Sequence, residues 1–409
     1  MNCKHFLPEN GGNVLVDHAE REFEMKKNYF RSFISALRSV CGGVKDSDGD
    51  IYTHECTSWM VFNDLTKNNT FLMHKNRDAG ARAILPMKSP DGAPRKWIGL
   101  GDIAPEQQPD PENLCMGINA SGLIAIVNSG EKDVEPSDPD AKIETPAITK
   151  ICLAECDTAA QAVEKLEEIR AARQYAHGEK GSTFIFMDLK EGFIVEMTAE
   201  RCSVLRHDHG YALRANIWHN QDIALYSDNS AKSWLDSCNR EYLVIHGLNR
   251  AWRDHGKLTV ADMLEISRVA VSPEDSPMPR ALCFKSTNSS STLELDLEYP
   301  DVLSTGYYLI GPLRHTVLVP VPMCVEKFHP KMVDLTWSST AWKRFEELGF
   351  GAEVPAEWLA FEKNMLEEYS SALAQAKALL KSGKRSEAVA LLNDTSYAIW
   401  EDAAKLMQL

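Results

Sequence analysis

CTSWMVF at positions 56–62, the polar run NDLTKNN at 63–69 and TFLMHKNRD at 70–78 form the stretch that decides the fold of this chain. The two outer runs combine aromatic, β-branched and other apolar residues, which favour strands, and the Asn- and Asp-rich run between them favours a turn. An antiparallel hairpin is therefore predicted, with strands over Thr57–Phe62 and Thr70–His74. A cysteine, Cys56, stands where this hairpin begins.

Further strands and helices follow outward from this hairpin. Short apolar runs between turn signals predict strands at Leu114–Ile118, Leu123–Val127, Thr183–Met187, Phe193–Met197, Ser203–Arg206, Tyr211–Arg214, Thr292–Leu297 and Gly306–Ile310. Helical spacing of apolar residues predicts two helices within Thr145–Ala172 and one each over Ser230–His255 and Thr259–Val269. Antiparallel hairpins interrupted by paired helices favour an α+β layered domain over a βαβ dinucleotide-binding fold.

Composition excludes several classes of function. The 409 residues carry a formal net charge of -15, which repels phosphate backbones and anionic membranes, so nucleic acid is not expected as a partner. The sequence has no apolar run of about 18 residues and no signal-peptide pattern, so no membrane span is expected. The ten cysteines lack tight pairs and the histidines lack metal-binding spacing, so neither a metal nor another cofactor is expected. The cytoplasm is the expected compartment, and secretion stays open if a signal peptide was trimmed.

The two ends of the chain differ from its middle. Residues 1–55 contain helical spacing over Glu20–Val40 and then a turn-rich stretch, which predicts a helix and a loop. From Ala341 onward the pattern is helical, with helices at Ala341–Leu348, Glu357–Ser382 and Arg385–Met407. The break at Gly383 predicts an antiparallel helical hairpin. This hairpin is expected to serve packing or assembly, including homo-oligomer formation. The predicted division is 1–55, a core over 56–330, and a helical extension over 331–409.

A cysteine at the start of a strand suits one kind of chemistry. A thiol with a pKa of about 8.5 needs a base to become the attacking thiolate. A free α-amine, with a pKa of about 7.7–8.0, is such a base. If Cys56 were the amino-terminal residue, it would supply both groups.

Several segments share motifs with a known group of enzymes, and together they span about residues 56–325. Cys-Thr at 56–57 is followed about twenty residues later by KNRD at 75–78, MGINASGL begins at Met116 and leads to Asn128, and GSTFIFMD begins at Gly181 and leads to Glu196. ANIWH occupies 215–219, and Arg240 lies in a predicted helix. These motifs resemble the cysteine branch of the N-terminal-nucleophile (Ntn) hydrolases. They look most like the acyl-coenzyme A:6-aminopenicillanic acid acyltransferase (isopenicillin-N acyltransferase) family, with choloylglycine hydrolases and Ntn dipeptidases as relatives.

The resemblance implies a four-layer αββα fold and a set of site residues. Cys56 would be both nucleophile and α-amine base, and Asp78 would orient the amine. Asn128 and Asn216 would steady the tetrahedral intermediate, with Arg240 close to the site.

The sequence departs from the motifs at two places. The family's Arg-Asn-x-Asp element has Lys75 in the arginine position and a second cation, Arg77, two residues on. A lysine is not equivalent to an arginine fork, so which of the two faces the thiol stays open. Asn216 is followed by Ile-Trp-His where the family has His-Phe, and the pocket beyond it is expected to differ.

The function implied is hydrolysis of a linear, nonpeptide amide through an acyl-thioester on Cys56, or transfer of its acyl group to an amine. Cleavage between Glu55 and Cys56 would then make residues 1–55 a propeptide rather than an ordinary packing helix. Two alternatives stay open: an Ntn dipeptidase, and an unprocessed protein that serves as a binding or assembly module.

Overall fold

A computed structural model describes residues 54–103, 114–132, 137–177, 180–225, 227, 231–270 and 281–409. The helix predicted over Glu20–Val40 lies outside the described residues. The described strands are β1 His54–Val61, β2 Phe71–Ala79, β3 Ala83–Lys88, β4 Trp97–Ile103, β5 Leu114–Asn119, β6 Ile124–Lys132, β7 Ile143–Glu144, β8 Tyr175–Ala176, β9 Lys180–Met187, β10 Gly192–Met197, β11 Cys202–His207, β12 Tyr211–Arg214, β13 Thr287–Leu295, β14 Thr305–Ile310 and β15 Leu318–Pro322. The described helices are α1 Thr145–Glu155, α2 Ala159–Ala171, α3 Gln221–Ala224, α4 Ala231–His255, α5 Val260–Ser267, α6 Pro300–Leu303, α7 Pro330–Val333, α8 Thr336–Leu348, α9 Ala356–Lys381 and α10 Arg385–Leu406.

Two antiparallel sheets contain nearly all of these strands. The first sheet has six strands in the order β12-β1-β2-β13-β14-β15, and the second has seven in the order β11-β10-β9-β6-β5-β4-β3. The chain is therefore a mixed helix and strand protein built on antiparallel sheets, as the hairpin signals predict. Strand β1 of the first sheet contacts β6 of the second.

Side-chain alternation along β6 explains how the second sheet is covered on both faces. Ile124 and Ile126 belong to one apolar cluster with Met60 and Met73 of the first sheet. Val127, one residue farther along, belongs to a second cluster with side chains of α1 and α2. Successive residues of a strand point to opposite faces, so the sheet is apolar on both.

Helices also cover the first sheet. Helix α4 contacts β1 and β12, and α5 contacts β2 and β13. Near the C-terminus, α9 and α10 pack against each other and against β15. Gly383 between them has a φ of 77°, a left-handed conformation that glycine adopts without steric cost and that ends helices. The predicted antiparallel helical hairpin is therefore present.

The predicted elements agree with the structure except at particular places. Strand β1 begins at His54, two residues before Cys56, and β2 continues to Ala79, beyond the predicted end at His74. Strand β13 and helix α8 each begin five residues before the predicted start, at Thr287 and Thr336. Strands β3 and β15 were not predicted because they contain prolines; each lies at a sheet edge, where a missing N–H group is tolerated.

Strand β4 was also missed, because glycines interrupt its apolar run. A Cβ on Gly99 would lie 2.4 Å from the carbonyl oxygen of Met116, so a close approach of two backbones requires glycine there. Within the described residues, no helix combines the length and the apolar character needed to span a membrane.

Candidate active site

The pairing of β1 with β2 decides which side chains share a face with Cys56. Cys56 lies directly opposite Arg77, and Ser58 lies opposite Lys75. Residues opposite each other in an antiparallel pair point to the same face, so these four side chains lie on one face of the first sheet. Thr57 points to the other face, toward α4. The Cys56 side chain is 7% exposed.

Side chains rather than strand partners hold the backbone of Cys56. Its N–H donates to Oδ1 of Asn216 at 2.8 Å, and its carbonyl oxygen accepts a hydrogen bond from Nη1 of Arg240 at 2.6 Å. Strand β12 pairs with β1 only from Ser58 onward, so Asn216, just beyond the end of β12, takes the place of a strand partner. The two polar groups thus converge on the backbone of one residue.

Arg240 is the centre of a buried network on α4. Its guanidinium pairs with Asp236 at 2.9 Å, one helical turn earlier, and the two side chains are 0% and 1% exposed. It also donates to Oγ1 of Thr57 at 2.7 Å and to Oδ1 of Asn216 at 2.9 Å. An arginine fork can satisfy several acceptors in one fixed geometry, so Arg240 locks Asn216 and the start of β1 together.

The packing of a tryptophan, Trp218, holds the loop that carries Asn216 in place. The ring of Trp218 occupies a slot beside Gly130 and Gly181, where an added Cβ would lie 2.1 Å and 2.8 Å from it. The backbone N–H of Trp218 donates to Glu131 at 3.2 Å, and Nδ2 of Asn216 donates to the carbonyl oxygen of Ser129 at 2.6 Å. The loop is therefore fixed against the end of β6.

Asn128 and Lys75 form a second polar group between the two sheets. Nζ of Lys75 donates to the carbonyl oxygen of Val127 at 2.7 Å and to Oδ1 of Asn128 at 2.8 Å. The same Oδ1 accepts from Oγ of Ser58 at 2.7 Å, and Nδ2 of Asn128 donates to the carbonyl oxygen of Arg214 at 3.0 Å. These bonds orient the Asn128 amide and join β1, β2, β6 and β12.

Arg77 pairs with a carboxylate from the other sheet. Its Nη1 lies 2.5 Å from Oδ2 of Asp102 on β4, and the side chains are 13% and 6% exposed. Burial disfavours the charge of Arg77, but Cys115, Asp102 and Cys56 outweigh burial and raise the pKa of the guanidinium above its ordinary value. The cation is therefore close to two thiols and a carboxylate.

Cys115 on β5 is a further buried thiol in this region. Burial raises its pKa, an effect that Arg77 opposes and Asp102 reinforces, with smaller contributions from Lys75 and Cys56. The thiol is therefore held protonated by its surroundings.

Asp78 lies close in sequence but on the other face of the sheet. It is opposite Glu55 in β1 and Thr287 in β13, and its side chain is buried, with an exposure of 2%. Because Cys56 pairs with Arg77, the side chain of the next residue, Asp78, points to the opposite face from the thiol. Asp78 also contributes to the electrostatics of Cys283, whose pKa is raised to about 12, mainly by burial.

The structure therefore brings together most of the residues singled out from the sequence. Cys56, Asn216 and Arg240 are directly connected by hydrogen bonds, and Lys75 and Arg77 share the thiol's face. Two residues of the site were missed. Asp236 could have been found from its i,i+4 spacing to Arg240 on a predicted helix, whereas Asp102 is the penultimate residue of a strand that glycines concealed. Among the described residues, no group of three or more His, Cys, Asp or Glu side chains could hold a metal ion.

Comparison with known proteins finds distant likenesses among solved structures. No protein-family model and no curated protein matches the sequence. Among solved structures, two variants of conjugated bile acid hydrolase from Clostridium perfringens are 12% and 13% identical to this chain, both with a TM-score of 0.44; the matches cover 66% of this chain and 93% and 94% of those chains. Penicillin V acylase from Agrobacterium tumefaciens is 12% identical with a TM-score of 0.40, over 66% of this chain and 86% of that one.

Proposed function

We propose that this protein is a self-processing cysteine amidohydrolase of the Ntn type, in which Cys56 is the nucleophile. The observation that carries the proposal is the convergence of Asn216 and Arg240 on the backbone N–H and carbonyl of Cys56. A cysteine that only fills space inside a strand would bond its backbone to neighbouring strands. Here a side-chain oxygen is already aimed at the nitrogen that cleavage of the Glu55–Cys56 bond would turn into an α-amine.

The proposed fold is the four-layer αββα sandwich. Contacts of α4 and α5 with the first sheet, of β1 with β6, and of α1 and α2 with the second sheet support this order of layers. Residues 1–55 would be the propeptide, 56–330 the catalytic core and 331–409 the helical extension.

Maturation would use the same thiol. The sulfur of Cys56 attacks the carbonyl carbon of Glu55, the C–N bond breaks, and the nitrogen takes a proton to become the α-amine. Water then hydrolyses the thioester, which releases the carboxylate of Glu55 and restores the thiol. No separate protease is needed for this sequence of steps.

Turnover would follow with a linear, nonpeptide amide as substrate. The α-amine accepts the thiol proton, and the sulfur attacks the amide carbonyl carbon while the carbonyl electron pair moves to the oxygen. Collapse of this intermediate expels the amine, which takes the proton from the ammonium group, and leaves an acyl-thioester. Water, or an amine in the transferase version, then attacks the thioester and restores the thiol.

The site residues have distinct proposed roles. Asn216 accepts a hydrogen bond from the α-amine and fixes its direction, and the second N–H of its amide is available to the oxyanion. Arg240 holds Asn216 and the carbonyl of Cys56 by hydrogen bonds. Asn128 accepts hydrogen bonds from Ser58 and Lys75 and so links the two sheets beside the site. Asp78, on the other face of the sheet from the thiol, would orient the α-amine.

The proposal is tested by the mass and the amino-terminal sequence of the purified protein. We expect a chain that begins at Cys56, and we expect Cys56→Ala to keep the full length. Cys152→Ala is the matched control, because Cys152 is a buried cysteine on α1 and should leave processing unchanged. A parent that stays full length, as Cys56→Ala does, would contradict the proposal and favour a binding or assembly module.

Substrate class is tested on the mature protein. A panel of acyl-amides should be hydrolysed by the parent and not by Cys56→Ser. Equal turnover by both would show that Cys56 is not the nucleophile. Preference for dipeptides would instead indicate a dipeptidase. A product in which an added amine carries the acyl group would indicate transfer.

A further inference from the structure

The site holds two cations on the face of Cys56, and the structure distinguishes their tasks. Lys75 lies opposite Ser58, one pair deeper along β1 than Cys56. Its side chain is 0% exposed, and its ammonium donates to Val127 and Asn128 at 2.7 Å and 2.8 Å. Lys75 is therefore occupied in joining the two sheets.

Arg77 is placed differently. It is the direct partner of Cys56 in the β1–β2 register, an arrangement that brings Cβ atoms to about 4.5–5.5 Å. Its side chain is 13% exposed, whereas Lys75 is fully buried. Among the described residues, it donates a hydrogen bond only to Asp102, through Nη1.

The ion pair with Asp102 fixes the direction in which the guanidinium of Arg77 points. The carboxylate comes from β4 in the second sheet and is itself 6% exposed, so it is a buried partner rather than a surface group. Because the pair uses one end of the arginine fork, Nε and Nη2 are left for other acceptors. The guanidinium also stays charged at every working pH.

Resting on the proposed function, we infer that Arg77, positioned by Asp102, is the cation that stabilises the thiolate of Cys56, and that Lys75 is a structural link which holds Asn128. The catalytic positive charge is thus on Arg77, two residues beyond Lys75, which occupies the arginine position of the motif. Arg77 is the catalytic residue of the pair, because it adjoins the reacting sulfur. Asp102 is a positioning residue, because it acts through Arg77.

The test measures the rate at which iodoacetamide alkylates Cys56 at pH 6 and at pH 9, read by peptide mass spectrometry in the mature protein. Arg77→Gln should lower the pH 6 rate by about 10- to 100-fold, because it removes the opposite charge that faces the attacking sulfur at a distance of a few ångströms. Arg77→Lys should recover a large part of the rate. Arg206→Gln is the matched control, since it removes a 57% exposed arginine on β11 and should leave both alkylation rates unchanged.

Two further variants separate positioning from structure. Asp102→Asn keeps the positive charge, so the pH 6 alkylation rate should not fall, whereas kcat with an acyl-amide substrate should fall with little change in KM. Lys75→Met should lower the melting temperature and leave the ratio of the pH 6 and pH 9 rates unchanged.

The inference is overturned if Arg77→Gln reacts like the parent at pH 6, or if Lys75→Met alone removes the pH 6 reactivity. If Lys75→Met does not fold, the comparison of Arg77→Gln with Arg77→Lys decides the matter. A parent that lacks an amino terminus at Cys56 and does not react there would overturn the proposed function and this assignment together. An active parent with an unchanged Arg77→Gln variant would overturn the assignment alone.

Discussion

The buried ion pair between Arg240 and Asp236 offers a quantitative test of what holds the candidate site. Its two side chains are 0% and 1% exposed, and Nε lies 2.9 Å from Oδ2. Two unit charges about 4 Å apart attract each other by about 4 kcal/mol at an effective dielectric constant of about 20. Removing one member leaves the other charge buried without compensation, which costs about 3–5 kcal/mol. We therefore expect Arg240→Met to lower the free energy of unfolding by about 4 kcal/mol.

The assay is urea unfolding followed by tryptophan fluorescence for the parent, Arg240→Met, Asp236→Asn and the double variant. Each single change leaves the other member of the pair buried without its partner, whereas the double variant removes both charges, so its loss should be smaller than the sum of the single losses by at least about 2 kcal/mol. Arg250→Met is the matched control on the same helix, since Arg250 pairs with Glu265 at the surface and should cost less than about 1 kcal/mol. Additive losses across the cycle would refute the reasoning.

Two further predictions concern packing and pH. Gly130→Ala should destabilise the protein by about 1–3 kcal/mol, because its Cβ would meet the buried ring of Trp218 at 2.1 Å. Gly351→Ala, with nothing within 4 Å, should stay within about 0.5 kcal/mol, and equal melting temperatures for the two variants would contradict this account. Burial lowers the pKa of His74 from 6.5 to about 3. Below about pH 6.5, His74 therefore binds a proton in the unfolded chain but stays neutral in the folded protein. Stability should therefore fall by about 1.4 kcal/mol per pH unit as the pH drops through this window. His74→Gln should lack this component, so a difference in urea midpoint between parent and variant that does not change from pH 8 to pH 4 would contradict it.

Local patterns predicted much of the framework. Strand β12 has the predicted bounds, Tyr211–Arg214, and the central hairpin of β9 and β10 lies where apolar runs flank the turn at 188–192. Prediction failed where residues with poor strand propensity are tolerated for reasons of position. Prolines lie at sheet edges in β3 and β15, and Gly99 in β4 is required by a neighbouring backbone.

The individual site residues could be nominated from motifs, but their arrangement could not. Asn216 and Arg240 lie 160 and 184 residues from Cys56 in the chain. Their meeting depends on how α4 and the loop after β12 pack on the first sheet. No local pattern encodes such distances, because the contacts that bring these residues together are nonlocal.

What the amino-acid sequence determined by itself is the set of hairpins and helices and the presence of two cations, Lys75 and Arg77, on one face of one strand. Residues two apart on a strand share a face, so their spacing could not say which one adjoins Cys56. Only the tertiary structure decided that, through the register of β1 on β2 and through Asp102, which the second sheet brings to Arg77. The physical reason is that the direction of a long charged side chain is fixed by the partners that surround it, and those partners come from elsewhere in the chain.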